Sequence, residues 1–312
     1  ALLIVSAAGA LLYFHPFSPG KNKPSEPEHS INPLEVFDRE KAFSEVREFV
    51  SLGPRHSGTE GARKAAIYLK KRLEQLDITA RIDEFTDTSA DRQLLFRNVI
   101  GSITPRAENL IVIASHYDTK AGISDNFRGA NDSGSSTGLL IELARTFSIA
   151  PPVETFGILF AFLDGEECFK RYSPEDGLHG SRKLAEDLDR SGKAGLVRAV
   201  IVIDMIGDRD LSITIPRNSN PSLVSLAFES AHRENVRNKF SFAKGNIIDD
   251  HVPFMKRGMP AVNIIDFEFG SAAGRNDYWH TNEDTMDKVS AESLGITGRV
   301  VIRMIRNLCG DQ

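Results

Sequence analysis

Apolar runs of strand length alternate with segments of helical period along the chain from Leu34 onward. Four of these runs are almost continuously apolar, which is typical of strands buried on both faces of a parallel sheet. The predicted core strands are residues 110–114, 157–163, 199–203 and 261–265. The pattern therefore predicts an α/β fold with a largely parallel, buried sheet.

Two segments between these runs have the spacing of amphipathic helices. Thr59 can cap a helix whose apolar residues recur at intervals of three and four, namely Ala62, Ala65, Leu69, Leu73 and Leu76. A second helix is predicted over residues 135–147, with its leucines and Phe147 facing the sheet. Neither an internal repeat nor a second composition regime follows Leu34, so residues 34–312 are predicted to form a single domain.

The first residues differ from the rest of the chain. Residues 1–14 form an apolar stretch without a charge, and we expect them to be the end of a truncated signal or membrane-anchor segment, since a complete span needs ~20 residues. Residues 15–33 contain five prolines among polar residues, a composition typical of an extended linker. We therefore expect an extracytoplasmic protein, whether secreted, periplasmic or membrane-anchored, that meets a membrane only through its N-terminal segment.

Composition narrows the classes of partner and metal site. The formal net charge is −5 and no basic run occurs, which gives no electrostatic reason to expect nucleic-acid binding. The two cysteines, Cys168 and Cys309, are not in a C-x-x-C spacing, so a thiolate metal site is not expected. Any metal ligands must be His, Asp or Glu.

Polar side chains follow three of the predicted strands where each strand ends. His116, the pair Glu166-Glu167, and Asp204 lie one to four residues beyond the ends of these apolar runs. Because ligands bind beyond the carboxyl ends of parallel strands, these side chains are expected to converge at one sheet edge. Each alone could be a turn or cap residue, but several carboxylates at one edge repel one another unless a cation or protons compensate them. In a pair such as Glu166-Glu167, one carboxylate can bind a metal while its neighbour transfers protons.

The order of motifs resembles the zinc aminopeptidase family that also contains the animal-type glutaminyl cyclases. The motifs are His116-x-Asp118, Asp132 in G-A-N-D-S-G, Glu166-Glu167, Asp204 in D-M-I-G and His280 in W-H-T, within a resemblance over about residues 46–308. It implies a zinc exopeptidase fold, which is a three-layer α/β/α sandwich with a mixed, mostly parallel central sheet.

The resemblance also implies roles for individual residues of a zinc-dependent catalytic domain. The implied zinc ligands are Asp132, Glu167 and His280, one imidazole and two carboxylates that leave an open coordination position, as in catalytic zinc sites. In the aminopeptidase branch, His116 and Asp204 would complete a second metal position. Glu166 would be the general base in either branch.

Three features resemble the glutaminyl-peptide cyclotransferase branch. The segment 168–179 separates the Glu pair from Gly180-Ser181, Asp249 precedes D-H-V-P-F, and Trp279 precedes the ligand histidine. The resemblance implies a catalytic set of Glu166, Asp204 and Asp249, one zinc ion, and conversion of the N-terminal Gln of peptides or proteins to pyroglutamate with release of ammonia. The alternatives are a zinc aminopeptidase with two zinc ions and a binding domain that has lost catalysis.

Some positions depart from the animal cyclases. Tyr172 stands where those enzymes have Trp, and Ile248 stands where they have Gln; together with Trp279 these are the expected substrate-binding residues. Ser115 and Ser136 lie near the places of a cysteine pair. Outside this set, His251 is expected to be structural and Cys168 a small buried side chain. Lys120 either borders the pocket or, as the simpler expectation, is a solvated loop residue.

Overall fold

The computed structural model describes residues 31–104, 107–173 and 175–310. The predicted signal or anchor segment, residues 1–14, lies outside the described residues, as do residues 15–30 of the predicted linker. Pro33, the last residue of that predicted linker, already begins a short helix. Within the described part of the chain, no helix is long and apolar enough to cross a membrane.

A six-stranded sheet forms the centre of the molecule, with the strand order β1-β2-β4-β3-β5-β8. Strands β3, β4, β5 and β8 are parallel, whereas β1 pairs antiparallel with β2, and β2 antiparallel with β4. The six strands are β1 Thr79–Ser89, β2 Arg92–Ile103, β3 Asn109–His116, β4 Phe156–Leu163, β5 Val197–Asp204 and β8 Ala261–Ile265. Two short strands, β6 Ile213–Ile215 and β7 Phe240–Phe242, form a separate parallel pair. The central sheet is therefore mixed and mostly parallel, as predicted.

Helices cover both faces of this sheet. They are α1 Pro33–Val36, α2 Arg39–Val50, α3 Glu60–Glu74, α4 Ser136–Ile149, α5 His179–Arg190, α6 Pro221–Arg233, α7 His251–Lys256 and α8 Ala291–Leu308. Alternate residues of β3 point to opposite faces: Ile111 and Ile113 join the core under α2, α3, α4, α6 and α8, whereas Val112 and Ala114 join the core under α5 and α7. The three-layer sandwich follows from these two cores.

The two predicted helices are present with small differences at their ends. Thr59 caps α3, because its side-chain hydroxyl accepts a hydrogen bond from the Ala62 N–H at 3.3 Å. The second begins at Ser136 and ends at Ile149, after a separate helical turn over Ala130–Ser135. This turn carries Asp132, so the start of α4 fixes the position of one candidate metal ligand.

Close backbone packing holds that turn in place. A Cβ atom on Gly138 of α4 would lie 2.4 Å from Val46 Cγ2, so the absence of a side chain lets α2 and α4 approach each other. The buried Arg55 guanidinium donates hydrogen bonds to the carbonyls of Tyr117 and Gly129, at 2.6 and 3.0 Å, and to the Arg128 carbonyl. These contacts join the segment after β3 to the turn that carries Asp132.

Candidate active site

The carboxyl ends of β3, β4 and β5 bring the predicted polar residues together. His116 ends β3 and pairs in register with Leu163, the last residue of β4, beyond which lie Glu166 and Glu167. Asp204 ends β5. All four polar side chains are buried, so the sheet edge gathers imidazole and carboxylate groups away from solvent.

Two sets of candidate metal ligands share the Asp132 carboxylate. Asp132 Oδ2 lies 3.2 Å from His280 Nε2, and that nitrogen lies 2.9 Å from Glu167 Oε1. On the other side, Asp132 Oδ1 lies 3.1 Å from His116 Nε2, which lies 3.2 Å from Asp204 Oδ1. Within each set, the ligand atoms lie within 4.8 Å of one another. The predicted zinc ligands and the predicted second-metal residues therefore converge on opposite oxygens of one carboxylate.

The charges of the first set, which consists of Asp132, Glu167 and His280, suit a divalent cation. Burial alone would raise the pKa of Asp132, but its contacts with His116 and His280 lower that pKa well below the usual range. Burial would likewise lower the pKa of His280, but Asp132 and Glu167 raise it to about 9. The Glu167 Oε2 atom is buried and accepts no hydrogen bond from the described residues. One imidazole and two carboxylates fit a zinc ion with an open coordination position.

Further carboxylates hold the backbone of the ligand residues. Asp284 is buried and accepts hydrogen bonds from the backbone N–H groups of Asn131 and Asp132, at 2.6 and 3.1 Å. Asp118 accepts from the N–H groups of Glu166 and Glu167, both at 3.2 Å. Asp118 belongs to the His116-x-Asp118 motif, whereas no motif in the sequence indicates Asp284, which lies 152 residues from the ligand that it supports.

Replacing Asp284 with Asn should weaken zinc binding by about 10- to 100-fold, the usual cost of losing a group that orients a metal ligand. An Asn side chain has only one acceptor oxygen and cannot accept both N–H groups in the geometry of the carboxylate. Competition with a chromophoric chelator measures the affinity. The control is Asp287→Asn, at an exposed carboxylate that pairs with Lys288. Equal zinc affinity in the Asp284 variant and in this control would contradict the proposed support of the zinc ligand by Asp284.

A second group of carboxylates lies beside the candidate metal ligands. Burial raises the pKa of Glu166 well above its usual value; the nearby His116 opposes this, and the charges of Glu167 and Asp249 add to it. Burial also raises the pKa of Asp249 strongly, with a further contribution from Asp204. Tyr172 donates a hydrogen bond to Glu166 Oε2 at 3.1 Å. The predicted catalytic residues Glu166, Asp204 and Asp249 thus form a buried cluster that can share protons.

A pocket of ≈ 280 Å³ opens over both groups. The catalytic cluster and the Asp132, Glu167 and His280 set line it, and its apolar lining includes Trp279, Phe267 and Ile248. The Trp279 ring stacks on the His280 ring at 3.9 Å between centroids and meets Phe267 edge-on at 5.2 Å. Ile248 is 57% exposed. All three expected substrate-binding residues, Tyr172, Ile248 and Trp279, line this pocket.

The surroundings of Lys120 differ from the sequence expectation. Its side chain is only 16% exposed, and its ammonium lies 3.4 Å from Glu167 Oε2. The same ammonium donates to the Cys168 carbonyl at 2.5 Å and lies 3.2 Å from Cys168 Sγ. The expectation of a solvated loop lysine is therefore wrong, because the segment after the Glu pair folds over the Lys120 side chain. Cys168 is buried, as expected.

Two other residues lie near the site without joining it. His251 is buried outside both candidate metal sets, and burial lowers its pKa to about 4, which agrees with a structural role. The Ser115 and Ser136 hydroxyls are hydrogen-bonded to each other at 2.8 Å. They join the end of β3 to the start of α4 near the places where the animal cyclases have their cysteine pair.

Known proteins are similar to this chain in sequence. Residues 98–305, more than half of the chain, match the model of the family described as peptidase family M28. The glutaminyl-peptide cyclotransferase of Drosophila melanogaster is 27% identical over 276 residues, which cover 80% of this chain and 76% of that protein. Residues 98–305 include every residue of the two candidate metal sets.

Solved structures share the fold. A glutaminyl cyclase from an Acidobacteriales bacterium superimposes with a TM-score of 0.83 and 33% identity, covering 96% of this chain and 100% of that one. A Zn-dependent exopeptidase from Parabacteroides distasonis has a TM-score of 0.76 and 26% identity, over 87% of this chain and 98% of that one. The predicted zinc exopeptidase fold is confirmed.

Proposed function

We propose that this chain, which belongs to peptidase family M28, is a zinc-dependent glutaminyl-peptide cyclotransferase. The substrate is a peptide or protein with an N-terminal Gln, and the products are the pyroglutamyl peptide and ammonia. The proposal rests on the lining of the pocket. Glu166, Asp204 and Asp249 line it together and are buried, and the Asp132, Glu167 and His280 set lines the same pocket. Such a cluster can move a proton between two nitrogen atoms of one substrate.

The reaction forms a bond between the α-amino nitrogen and the side-chain amide carbon of Gln, and it breaks the bond from that carbon to the amide nitrogen. A zinc ion held by Asp132, Glu167 and His280 would polarise the amide carbonyl. Glu166 accepts a proton from the attacking amine and donates it to the departing ammonia. Asp204 and Asp249 hold Glu166 and the reacting nitrogens in a network of shared protons.

The apolar lining of the pocket would orient the substrate. The Trp279 indole, already held against His280 and Phe267, provides a flat surface for the Gln side chain. Tyr172 and Ile248 contact the rest of the substrate, Ile248 at the more exposed position. A small pocket of ≈ 280 Å³ suits one terminal residue, so recognition concentrates on the N-terminal Gln.

The second candidate function is that of a zinc aminopeptidase with two zinc ions. The observation that favours it is the His116, Asp132 and Asp204 set, which lies beside the first set and shares Asp132 with it. In that reaction, Glu166 would accept a proton from a water molecule that attacks the first peptide bond. Cyclisation uses the amine of the substrate as nucleophile, so one zinc ion is sufficient.

We also propose that the enzyme acts outside the cytoplasm on the N-termini of peptides or proteins. The support is the sequence of residues 1–33, an apolar segment followed by a proline-rich linker. The negative net charge gives no support for a nucleic-acid partner.

Incubating the purified chain with a Gln-arylamide and a Leu-arylamide, each with and without a chelator, tests the proposal. We expect a pyroglutamyl product from the Gln substrate, no hydrolysis of the Leu substrate, and loss of activity with the chelator. Hydrolysis of Leu-arylamide without cyclisation of Gln would show the aminopeptidase instead. A zinc-loaded chain that acts on neither substrate would favour the binding domain that has lost catalysis.

A further inference from the structure

The loop between Glu167 and α5 turns the Tyr172 side chain back toward the catalytic cluster. The Tyr172 hydroxyl donates to Glu166 Oε2 at 3.1 Å. Among the described residues, no other group donates a hydrogen bond to the Glu166 carboxylate. The family resemblance implies only substrate contact at this position, yet the hydroxyl lies against the proposed general base.

Hydrogen bonds to one carboxylate hold the segment that precedes this hydroxyl. The Asp176 carboxylate accepts hydrogen bonds from the backbone N–H groups of Phe169, Lys170 and Arg171, at 2.7, 2.7 and 3.1 Å. The Ser89 hydroxyl, on β1, donates to the same carboxylate at 3.0 Å. One buried side chain thus closes the loop on itself and attaches it to the sheet.

Gly177 completes the support for the Tyr172 ring. A Cβ atom at Gly177 would lie 2.7 Å from Tyr172 Cδ1 and 3.0 Å from the Glu166 carbonyl oxygen. The ring therefore occupies the space that any side chain at Gly177 would need. The next residue, Leu178, donates its backbone N–H to that carbonyl at 3.0 Å. The segment that supports the ring is therefore hydrogen-bonded to the backbone of Glu166.

We propose that Tyr172 is a positioning residue for Glu166, an inference that rests on the proposed role of Glu166 as general base. Glu166 lies in a buried group of carboxylates. The repulsion between their like charges disfavours a single fixed position of the Glu166 side chain. A hydroxyl fixed by its loop holds one carboxylate oxygen and leaves the other free for the substrate amine. Proton transfer requires the base within hydrogen-bond reach of the reacting nitrogen, so this contact sets the geometry of the chemical step.

Replacing Tyr172 with Phe tests this role with the least change of shape. We expect kcat for Gln-arylamide to fall about 10- to 100-fold, the cost of a small displacement of a catalytic group, while KM and zinc content stay close to wild type. The control is Tyr68→Phe, which removes a hydroxyl 3.5 Å from Glu48 on the helical surface. Gly177→Ala is a second variant: it displaces the ring and should also lower kcat.

A double-variant comparison shows whether Tyr172 acts through Glu166. Glu166→Asp keeps a carboxylate but withdraws it from the hydroxyl, so Tyr172→Phe should cost little in that background, whereas independent roles would give additive losses. An unchanged kcat in Tyr172→Phe, or a raised KM with unchanged kcat, would overturn the proposal and leave only substrate contact. A wild-type chain that does not cyclise Gln contradicts the proposed function instead, and the same comparison then applies to Leu-arylamide hydrolysis.

Discussion

Replacing Glu166 with Gln is expected to lower kcat for cyclisation by about 10²- to 10⁴-fold, the contribution of a positioned general acid–base group. The amide has nearly the same shape as the carboxylate but can neither accept the amine proton nor return it to ammonia. Zinc should remain bound, because the proposed ligand is the adjacent Glu167, whose Oε1 faces His280. Steady-state kinetics and zinc analysis of the same preparation measure both effects.

The control for this variant is Glu186→Gln on α5, whose glutamate forms an ion pair with Arg190 away from the pocket. We expect wild-type kinetics there. Turnover retained in Glu166→Gln would refute its role as general base. Loss of zinc together with activity would instead assign Glu166 to the metal, and Asp249 would become the remaining candidate for proton transfer.

The strands and the ligands at their ends could be predicted from sequence because both signals are local. A strand buried on two faces has to be apolar at nearly every position, as β3 and β4 are, so a polar residue at its end is conspicuous. The positions of Glu166, Glu167 and Asp204 follow from that. Their roles needed the family resemblance, because a carboxylate after a strand is also a common turn residue.

The antiparallel hairpin of β1 and β2 was not predicted, because its burial pattern is different. Most of β1 is exposed or partly exposed, with charges at Arg81, Asp83 and Glu84, as suits a strand at the edge of a sheet. Without a continuous apolar run, its residues cannot be told from a polar loop by pattern alone. What forms the strand is its pairing with β2, which itself pairs with β4.

The supporting residues of the site could not be read from the sequence either. Asp284 acts on the backbone of a residue more than a hundred positions away, and Arg55 on carbonyls more than sixty away. Lys120 is largely shielded from solvent because the segment after Glu167 folds over it. Such contacts exist once the sheet has brought distant segments together, and no spacing along the chain records them.

The zinc content should distinguish the two candidate metal sets. Since cyclisation requires no activated water, we expect one zinc ion per chain, held by Asp132, Glu167 and His280. His280→Ala removes the only imidazole of this set and should weaken zinc binding by more than about 100-fold. This is more than the loss expected when a group that only supports a ligand is removed. The reason is that zinc favours nitrogen donors alongside carboxylates. Activity should be lost with the metal.

The matched variant is His116→Ala, at the imidazole that faces the other oxygen of Asp132. It leaves the first set complete, so the chain should still bind one zinc ion with an affinity near that of wild type. Metal analysis after dialysis measures the zinc per chain in the wild type and in both variants. Two zinc ions in the wild type, falling to one in His116→Ala, would contradict the one-zinc site. Since the second set is then a true metal position, that result would favour hydrolysis by an activated water over cyclisation.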